Sequence, residues 1–468
     1  MLRHVRIIAI FLVCLTQFPG VHPLVLCSTV SQPINIGLHL LSSVGSYCLE
    51  TMTADKEFDL ILLGPTGYTG KLTAEHIVQH FPTNLKWALA GRSATKVQAV
   101  AAELKNLNPD RAEPDQIITE RFNSEVMDSL VRRTRVIINC VGPFHLYSTP
   151  VVEACAKSGT HYVDVTGETP WIKQIIEKYH ETAKSNGAVI IPSAGFESAP
   201  PDILAWALIN FVRTKLSADP VEVVGAIYDI KAAGPSGGTL NTILTIIETL
   251  KLSDLAKFAD PYALAASPPP PTRVAPKKSL AELILGLRSV PDLGTLTTSP
   301  SGHNDETIVN RSSTLLPDFY GPKFSYRHFL HVRNAFIGVA FHYAFIIGIA
   351  LLLLPPVRWI VRRFVYAPGQ GPSREESRND MAELRTVVTA VQEGEGRPKR
   401  AVGSLSYQGG MYQLAGVTVS EAARVILEHE DEVRQVSGGG IVTTATLGQY
   451  YVDRLEKAGL RIQTKLLD

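Results

Sequence analysis

The 468-residue sequence has few cysteines and almost no net charge, and each shortage argues against a class of protein. The five cysteines include no CxxC pair, so we expect neither a disulfide framework nor a metal site, and a reducing compartment fits best. The formal net charge is +1, which gives no overall basic field for nucleic acid. The sequence shows no internal repeats. The length is enough for two or three domains, and a hydrophobic content of 45% is ordinary for globular protein.

Residues 1–56 differ from the rest of the chain. Arg3 and Arg6 precede the apolar run 7–15, which has the outline of a signal peptide and is too short to span a membrane. Two other interpretations stay open. The run could be a short membrane-surface anchor, or residues 1–51 could be an extension of the gene model with Met52 as the working start.

Between residues 57 and 192, short apolar runs alternate six times with segments of helical spacing. Such alternation packs as a parallel sheet with helices on both faces. Asn123 is a predicted helix N-cap. The predicted strands are 58–63, 86–90, 117–119, 136–140, 161–165 and 188–191. We therefore predict an α/β fold whose first domain, 57–192, is a Rossmann doubly wound parallel sheet.

The chain changes in character after Pro192. An additional α+β domain follows, then an uncharged apolar run, then a stretch rich in Gly, Glu and Arg that predicts a flexible loop, and a last folded segment. These four parts cover, in that order, residues 193–330, 335–354, 355–400 and 401–468. We expect a helix near 442–458 in the last of them.

A glycine triplet separates the first predicted strand from the first helix. Glycines three residues apart let the chain turn tightly and let backbone amides approach a pyrophosphate, and the helix N-terminus adds roughly half a positive charge. A plain strand–helix turn is the alternative. We assign to this dinucleotide site Gly64, Thr66, Gly67, Tyr68, Thr69 and Gly70.

The second strand ends without a carboxylate. Domains that prefer NAD place an acidic residue there, about 20 residues after the glycine loop, where it binds the ribose 2′-hydroxyl. This chain has Arg92 and Ser93 instead, which can bind a 2′-phosphate. The alternative for Arg92 is a solvated surface charge. The sequence predicts NADP as the cofactor.

The fourth strand ends where the cofactor of such a sheet crosses its edge. We expect the segment there to hold backbone close to the nicotinamide ribose, and assign to the cofactor Cys140, Val141, Gly142 and Pro143. Cys140 is interpreted as a small buried residue and not as a nucleophile. His145 and Tyr147 project from the same loop and are the nearest candidate proton donors.

Acidic and hydroxyl side chains follow the fifth and sixth strands. Asp164 and Glu168 flank the end of the fifth, with helix capping as their alternative. We take as candidate catalytic residues Tyr147, Asp164 and Glu168. Glu197 and Ser198 could contact substrate or cap a helix. Ser236 to Thr239 could hold an anionic group or form a close-packing turn.

Seven segments read together resemble the saccharopine dehydrogenase-like oxidoreductases. They are GPTGYTG (64–70), AGRS (90–93), NCVGPF (139–144), HYVDVTGE (161–168), PSAGFESAP (192–200), SGGT (236–239) and GGGIVTTATLG (438–448). The resemblance covers about 58–330 and 400–468. It implies a Rossmann domain, an inserted substrate or dimerisation domain, and a final segment that returns to the core. The mycobacterial trans-acting enoyl reductases, which act on long-chain lipid precursors, look similar too.

The apolar run 335–354 would measure about 30 Å as a helix, enough to cross a bilayer core. A single span would separate residues 360–468 from the domains before the run. A hairpin that turns at Pro355 and Pro356, or burial in a dimer interface, keeps both parts on one side. Basic residues flank the run on both ends, which favours a hairpin.

We predict a membrane-associated, NADP-dependent oxidoreductase that acts on a lipid-like substrate in lipid or glycolipid metabolism. The resemblance points to lipid droplets or the endoplasmic reticulum, with the catalytic domain facing the cytosol, and a homodimer is a candidate assembly. Two alternatives stay open. One is a non-catalytic dinucleotide-binding scaffold at a membrane or lipid droplet, and the other is an amino-acid dehydrogenase of the saccharopine type.

Overall fold

The computed structural model describes residues 56–119, 121–249, 260–273, 278–364, 366–367, 369–392 and 398–467. The signal-like segment, including Met52, lies outside the described residues. The strands are β1 (Phe58–Leu63), β2 (Trp87–Gly91), β3 (Asp115–Ile118), β4 (Thr134–Asn139), β5 (His161–Asp164), β6 (Val189–Ile191), β7 (Asp219–Lys231), β8 (Arg288–Val290), β9 (Gly294–Thr298), β10 (Ser325–Val332), β11 (Met381–Val391), β12 (Lys399–Gln408), β13 (Gly440–Ile441) and β14 (Arg461–Leu467).

The helices of the described chain are numbered in the same way, and a short 3₁₀ turn, Thr444–Leu447, stands between the last two of them. They are α1 (Tyr68–His80), α2 (Ala94–Leu107), α3 (Ser124–Val131), α4 (Phe144–Tyr147), α5 (Thr149–Ser158), α6 (Thr169–Ser185), α7 (Ala199–Leu216), α8 (Gly237–Thr249), α9 (Leu280–Leu285), α10 (Gly302–Leu315), α11 (Pro317–Tyr320), α12 (Ala335–Leu352), α13 (Pro355–Arg362), α14 (Met411–Glu428), α15 (Glu430–Ser437) and α16 (Gly448–Lys457).

The first sheet is parallel and has the strand order β13-β6-β5-β4-β1-β2-β3. The central strands β1 and β4 are each buried at five of their six positions, because helices cover both faces of the sheet. Its six N-terminal strands lie within two residues of the predicted runs. The prediction of a Rossmann-like α/β fold is confirmed.

Local sequence signals explain where several helices begin. The Asn123 side chain accepts a hydrogen bond from the backbone N–H of Val126 (3.1 Å) and so caps α3. Pro150 and Pro170 occupy the first turns of α5 and α6, where the missing N–H costs nothing. These signals involve only neighbouring residues, so the sequence alone is enough to predict these helix starts.

The second sheet is mixed, with the order β14-β12-β11-β7-β10-β9-β8. β7 pairs parallel to β10 and antiparallel to β11. The long helix α7 covers one face, where Leu208 and Val212 pack with Val223 and Val388. This sheet is the additional domain expected after the Rossmann domain, but three of its strands come from the C-terminal part of the chain.

The prediction of a flexible loop over 355–400 is wrong. Residues 355–362 form α13 and residues 381–391 form β11, which is central in the second sheet. The charged composition was misleading because only one face of the strand is polar, with Glu383 and Arg385 paired at 2.7 Å. The buried alternate positions are Ala382, Leu384, Thr386, Val388 and Ala390.

The C-terminal segment returns to both sheets. It supplies β13 to the first sheet and β12 and β14 to the second, and α14 packs across α1. Asp202 in α7 anchors the turn before α16, because its carboxylate accepts hydrogen bonds from the Thr444 hydroxyl and the Ala445 N–H, both at 2.8 Å. The expected helix near 442–458 is shorter than predicted, since a 3₁₀ turn precedes α16.

The apolar run forms α12, which leaves most of its surface outside the core. In the described part of the chain, it is the one helix long and apolar enough to cross a membrane, with a mean hydropathy of 2.2 over a window that is 22% buried. Pro355 and Pro356 end it, and they also begin α13. β7 before α12 and β11 after it pair along their whole length, so both belong to one folded unit.

Candidate functional site

A cleft opens at the carboxyl ends of β1 and β4, where the strand order of the first sheet reverses. Its walls come from the loops after β1, β4, β5 and β6, from α8 and from α14. In parallel sheets, ligands bind at this switch point because the neighbouring loops diverge there. The second sheet and the C-terminal segment thus help to build a site whose floor is the first sheet.

The loop after β1 has a shape that only glycine permits. Gly64 has φ +79°, and a Cβ there would lie 2.8 Å from the Val141 side chain. A Cβ on Gly70 would collide with the Gly64 carbonyl. No side chain caps α1, so the amides that follow Gly67 are directed toward the cleft. This cradle fits a pyrophosphate.

The predicted loop residues differ in their exposure to the cleft. Gly64 and Gly70 shape the turn, and Thr66 is exposed at its tip. The Gly64 N–H donates to the Ala90 carbonyl (3.0 Å), which ties the loop to the end of β2. The residues that line the cleft are Gly67, Tyr68 and Thr69.

The end of β2 offers a free cation beside this loop. Arg92 is exposed, and among the described residues its guanidinium has no ion pair or hydrogen bond. Ser93 follows it, with its hydroxyl 3.2 Å from that of Thr95. Neither residue lines the cleft itself. A free guanidinium one strand away from the glycine loop suits the 2′-phosphate at the adenosine end of NADP.

A buried amide holds the loop after β4. The Asn139 side-chain nitrogen donates to the Ser148 hydroxyl (2.8 Å) and the Tyr162 hydroxyl (3.0 Å), and its oxygen accepts from the Val141 N–H (3.0 Å). Ser148 in turn donates to the Val141 carbonyl at 3.0 Å. The predicted cofactor residues in this loop that line the cleft are Cys140, Gly142 and Pro143.

Cys140 is not set up as a nucleophile. Burial raises the pKa of its thiol to about 12, so the thiol stays protonated. Its sulfur lies 3.8 Å from the Thr73 hydroxyl on α1. The residue therefore fills space between the loop and α1, as the sequence predicts.

Glu168 reaches the cleft, but its carboxylate is already bound. It accepts hydrogen bonds from the N–H groups of Phe144 (2.7 Å) and His145 (2.8 Å) and contacts Nδ1 of His145 at 2.6 Å. Three contacts of this kind fix the loop after β4 to the loop after β5. The geometry gives Glu168 a positioning role, and the catalytic role predicted from the sequence stays a prediction.

Asp164 and Tyr147 do not line the cleft. Asp164 is fully buried and accepts from the Tyr162 hydroxyl (2.7 Å) and the N–H groups of Thr166 (2.9 Å) and Ser193 (2.8 Å). Burial raises its pKa to about 7. The side chain of Tyr147 is 41% exposed on the outer surface of α4. Asp164 joins two loops, and Tyr147 faces solvent, so neither placement favours the predicted catalytic role.

Ser198 also has a structural role. Its hydroxyl lies 2.5 Å from that of Ser193 and accepts from the Asn304 amide at 2.7 Å. Asn304 belongs to α10, and its amide also donates to the Glu197 carbonyl at 3.2 Å. The second half of the molecule therefore fixes the backbone of the loop after β6.

The sequence did not single out Tyr412, which lines the cleft from α14. Its hydroxyl accepts from the Ser236 N–H (2.7 Å) and contacts the Thr239 hydroxyl (2.8 Å) at the start of α8. Its ring meets that of Tyr68 edge-on at 5.2 Å. These contacts join segments that are more than 150 residues apart in the chain, so no local sequence pattern predicts them.

Residues 369–377, here called the cofactor strap, cross over the glycine loop. The Tyr68 hydroxyl donates to the Pro372 carbonyl (2.6 Å), and the Gly237 N–H donates to the Gln370 carbonyl (2.9 Å). Arg374 pairs with Glu75 on α1 at 2.5 Å. The strap lies between α13 and β11, and it covers the side of the cleft next to the phosphate cradle.

The fold and the cradle define a dinucleotide-binding oxidoreductase. Residues 60–191 match the family model described as the saccharopine dehydrogenase NADP binding domain. This match confirms the predicted family resemblance, the oxidoreductase class and NADP as the cofactor.

Relatives of known name match most of the chain. A Mycobacterium tuberculosis protein provisionally named as a trans-acting enoyl reductase is 29% identical over 439 residues, which is 89% of this chain and 100% of the relative. The trans-acting enoyl reductase of Mycobacterium ulcerans is 26% identical over 428 residues, covering 89% and 99%. The solved structure of GenD2 from gentamicin A biosynthesis covers 92% of this chain and 99% of its own, with 11% identity and a TM-score of 0.34, too weak a likeness to support an argument.

Proposed function

We propose that this protein is a membrane-associated, NADP-dependent reductase of a lipid-like substrate that contains an activated carbon–carbon double bond. The observation that carries the proposal is the composition of the cleft. It joins the phosphate cradle to an apolar lining that includes Ile243 and Ile246 of α8 together with Phe144 and Phe196. Relatives that carry the name enoyl reductase support the same reaction.

The residues of the chain bind and orient the cofactor. Loop amides after Gly67 would hold the pyrophosphate, Arg92 would pair with the 2′-phosphate, and the loop of Gly142 and Pro143 would bind near the nicotinamide ribose. NADPH supplies a hydride when it is bound. The apolar lining then excludes water and holds the substrate against the nicotinamide end of the cleft.

The lining of the cleft argues against an amino-acid substrate. Among its described lining residues, none is Lys or Arg. An amino-acid dehydrogenase needs a cation to bind the substrate carboxylate, and Arg is the usual choice because its guanidinium matches that group. A lipid-like substrate needs no such partner in this part of the cleft.

Three helices form a continuous apolar surface, here called the lipid-facing surface. The Tyr343 hydroxyl of α12 donates to the Ile284 carbonyl of α9 (2.9 Å), and Arg358 of α13 donates to the Leu353 carbonyl at the end of α12 (2.8 Å). Its most exposed side chains include Leu280, Phe336, Ile347, Trp359 and Phe364, of which Phe336 is 84% exposed. Exposed apolar side chains that adjoin one another in this way mark an interaction site.

The edge of the lipid-facing surface suits a membrane interface. Arg363 stacks 3.7 Å from the ring of Trp359, and Arg362 pairs with Glu248 of α8 at 3.0 Å. Aromatic and basic side chains side by side are typical of a helix that lies in the headgroup region. We infer that α9, α12 and α13 rest on the cytosolic leaflet of the endoplasmic reticulum or on a lipid droplet.

The pairing of β7 with β11 determines how α12 can enter lipid. The two strands pair along their length, although α12 lies between them in sequence. A helix that crossed the bilayer would place the chain after it on the other side and break this pairing. We therefore propose that α12 dips into one leaflet and does not span.

Flotation with vesicles and isolated lipid droplets tests the membrane surface. The triple variant Phe336→Glu, Ile347→Glu, Trp359→Glu places three carboxylates on the lipid-facing surface, and we expect it to remain in the soluble fraction. Val436→Glu is the control, because Val436 is also exposed (54%) but lies on α15. Equal flotation of the triple variant and the wild type would show that this surface does not bind lipid.

Lipid analysis of a deletion strain tests the reductase activity. We expect unsaturated precursors to accumulate in the strain, and the wild-type protein to restore the reduced lipid. Gly67→Asp should fail to restore it, because a carboxylate in the cradle repels the pyrophosphate, while Val436→Glu should succeed. Restoration by Gly67→Asp would instead favour a scaffold that works without cofactor turnover.

A further inference from the structure

Glu197 carries the one carboxyl group of the described cleft lining that forms no hydrogen bond within the protein. It lines the cleft, and within the described residues its carboxyl group has no hydrogen-bond partner. Glu168, the other carboxylate of the lining, is held by three contacts. The two residues share a cleft, but only one carboxyl group is available to a ligand.

Hydrogen bonds hold the backbone at Glu197, although its carboxyl group makes none. Its carbonyl accepts from the Asn304 amide (3.2 Å), and the adjacent Ser198 is bound to the same amide (2.7 Å). Gly167 lies directly opposite, where an added Cβ would be 2.8 Å from Oε2 of Glu197. The carboxyl group is therefore aimed into a space that a glycine keeps open.

The surroundings of Glu197 favour the protonated carboxyl group. Tyr412 of α14 and Asp305 of α10 lie close enough to interact electrostatically with Glu197, and Glu168 lines the same cleft. No Lys or Arg is among the described lining residues. Burial in the cleft raises the pKa of Glu197 to about 7, so the protonated carboxyl group is populated near neutral pH.

We propose that Glu197 is the proton donor of the reduction. The β-carbon of the substrate double bond receives the hydride, and the electrons of the double bond pass to the α-carbon. The α-carbon takes the proton of the Glu197 carboxyl group, and the resulting carboxylate regains a proton from water. This role rests on the proposed function, since it requires a substrate with an activated double bond.

Infrared difference spectroscopy on the full chain without cofactor tests the free acid directly. We expect a protonated-carboxyl band that titrates near pH 7 and is missing from Glu197→Gln. Glu432→Gln, on the exposed face of α15, should keep the band. Asp164 and other buried acids contribute equally to all three proteins and cancel in the difference. A Glu197→Gln spectrum identical to that of the wild type from pH 5 to 8 would overturn the proposal.

Kinetics test the role in turnover. Glu197→Gln should lower kcat by about 100-fold or more, the usual contribution of a general acid, and leave the Kd for NADPH unchanged. The wild-type kcat/KM should fall as pH rises above 7, because the acid loses its proton, and this limb should be absent from the variant. Glu197→Asp should recover part of the rate.

The outcomes separate the two claims. If the wild type reduces the lipid and Glu197→Gln retains at least half of its kcat, the proton donor is another group and the proposed function stands. If the wild type reduces no unsaturated lipid although it binds NADPH, the proposed function fails and the assignment of Glu197 fails with it.

Discussion

A single residue, Arg92, accounts for the predicted preference for NADP. Its guanidinium has no partner in the described chain and lies where an NAD-preferring domain has a carboxylate. The sequence alone suffices for this assignment, because the glycine loop, the strand and the residue after it are neighbours in the chain. The glycines of the loop were predictable for the same reason.

We expect Arg92 to determine which of the two cofactors the protein prefers. The wild type should bind NADPH about tenfold more tightly than NADH, since one charged contact contributes roughly 1.4 kcal/mol. Arg92→Asp should abolish or invert the preference, because a carboxylate repels the 2′-phosphate and accepts from a ribose hydroxyl. Fluorescence titration of both cofactors measures it. Equal wild-type affinities would contradict the role of Arg92.

The acidic residues were less predictable than the glycines. Asp164 ends a strand of the first sheet, Glu168 and Glu197 follow strands, and their positions in the chain alone do not distinguish their roles. Their roles depend on partners from elsewhere in the chain, such as the Ser193 N–H for Asp164 and the Asn304 amide behind Glu197. Burial and hydrogen bonding decide which carboxyl group is free, and both follow from tertiary structure.

The cofactor strap connects three parts of the molecule. It links α13 on the lipid-facing surface to β11 in the second sheet, and on its way it touches the glycine loop. Its position could not be predicted, because the segment is polar and its contacts are with residues about 130 to 300 positions earlier. The alternation of β11 was present in the sequence, but charged residues on the outer face obscured it.

A substitution in the strap should weaken cofactor binding. A Cβ on Gly371 would lie 2.8 Å from the Tyr68 ring, so Gly371→Val forces the strap and the ring apart and strains the hydrogen bond to Pro372. We expect the Kd for NADPH to rise about tenfold, the equivalent of roughly 1.4 kcal/mol, by isothermal titration calorimetry. Gln370→Ala is the control, since only its backbone carbonyl contacts Gly237. Unchanged binding by Gly371→Val would show that the strap does not shape the site.

At the scale of the whole molecule, the C-terminal segment ties the two sheets together. Glu421 in α14 is buried and bonded to His76 of α1 (2.7 Å) and Arg454 of α16 (2.8 Å). The family resemblance predicted that this segment returns to the core. It could not predict that β12 and β14 complete the second sheet, because such pairing joins residues far apart in sequence.

Removing the charge of Glu421 should destabilise the molecule. Glu421→Gln leaves the guanidinium of Arg454, which is 15% exposed, without a compensating carboxylate, so we expect the free energy of unfolding to fall by about 3 kcal/mol in urea denaturation. Burial opposes ionisation of Glu421, but its bonds to His76 and Arg454 outweigh burial and hold its pKa below the ordinary value. The stabilisation is therefore present above about pH 4.3, the unfolded value, and is lost as pH falls through the folded pKa. The two proteins should converge in acid, and a constant difference down to low pH would contradict this.

We propose above that the chain transfers hydride from NADPH to a lipid-like double bond. The most direct measurement follows deuterium from the C4 position of labelled NADPH into lipid, with the full-length protein on vesicles that carry unsaturated precursors. Mass spectrometry should find one deuterium in each reduced lipid with the wild type and none with Gly67→Asp. Tight NADPH binding with no deuterium in any lipid would contradict the account and leave the non-catalytic scaffold as the better description.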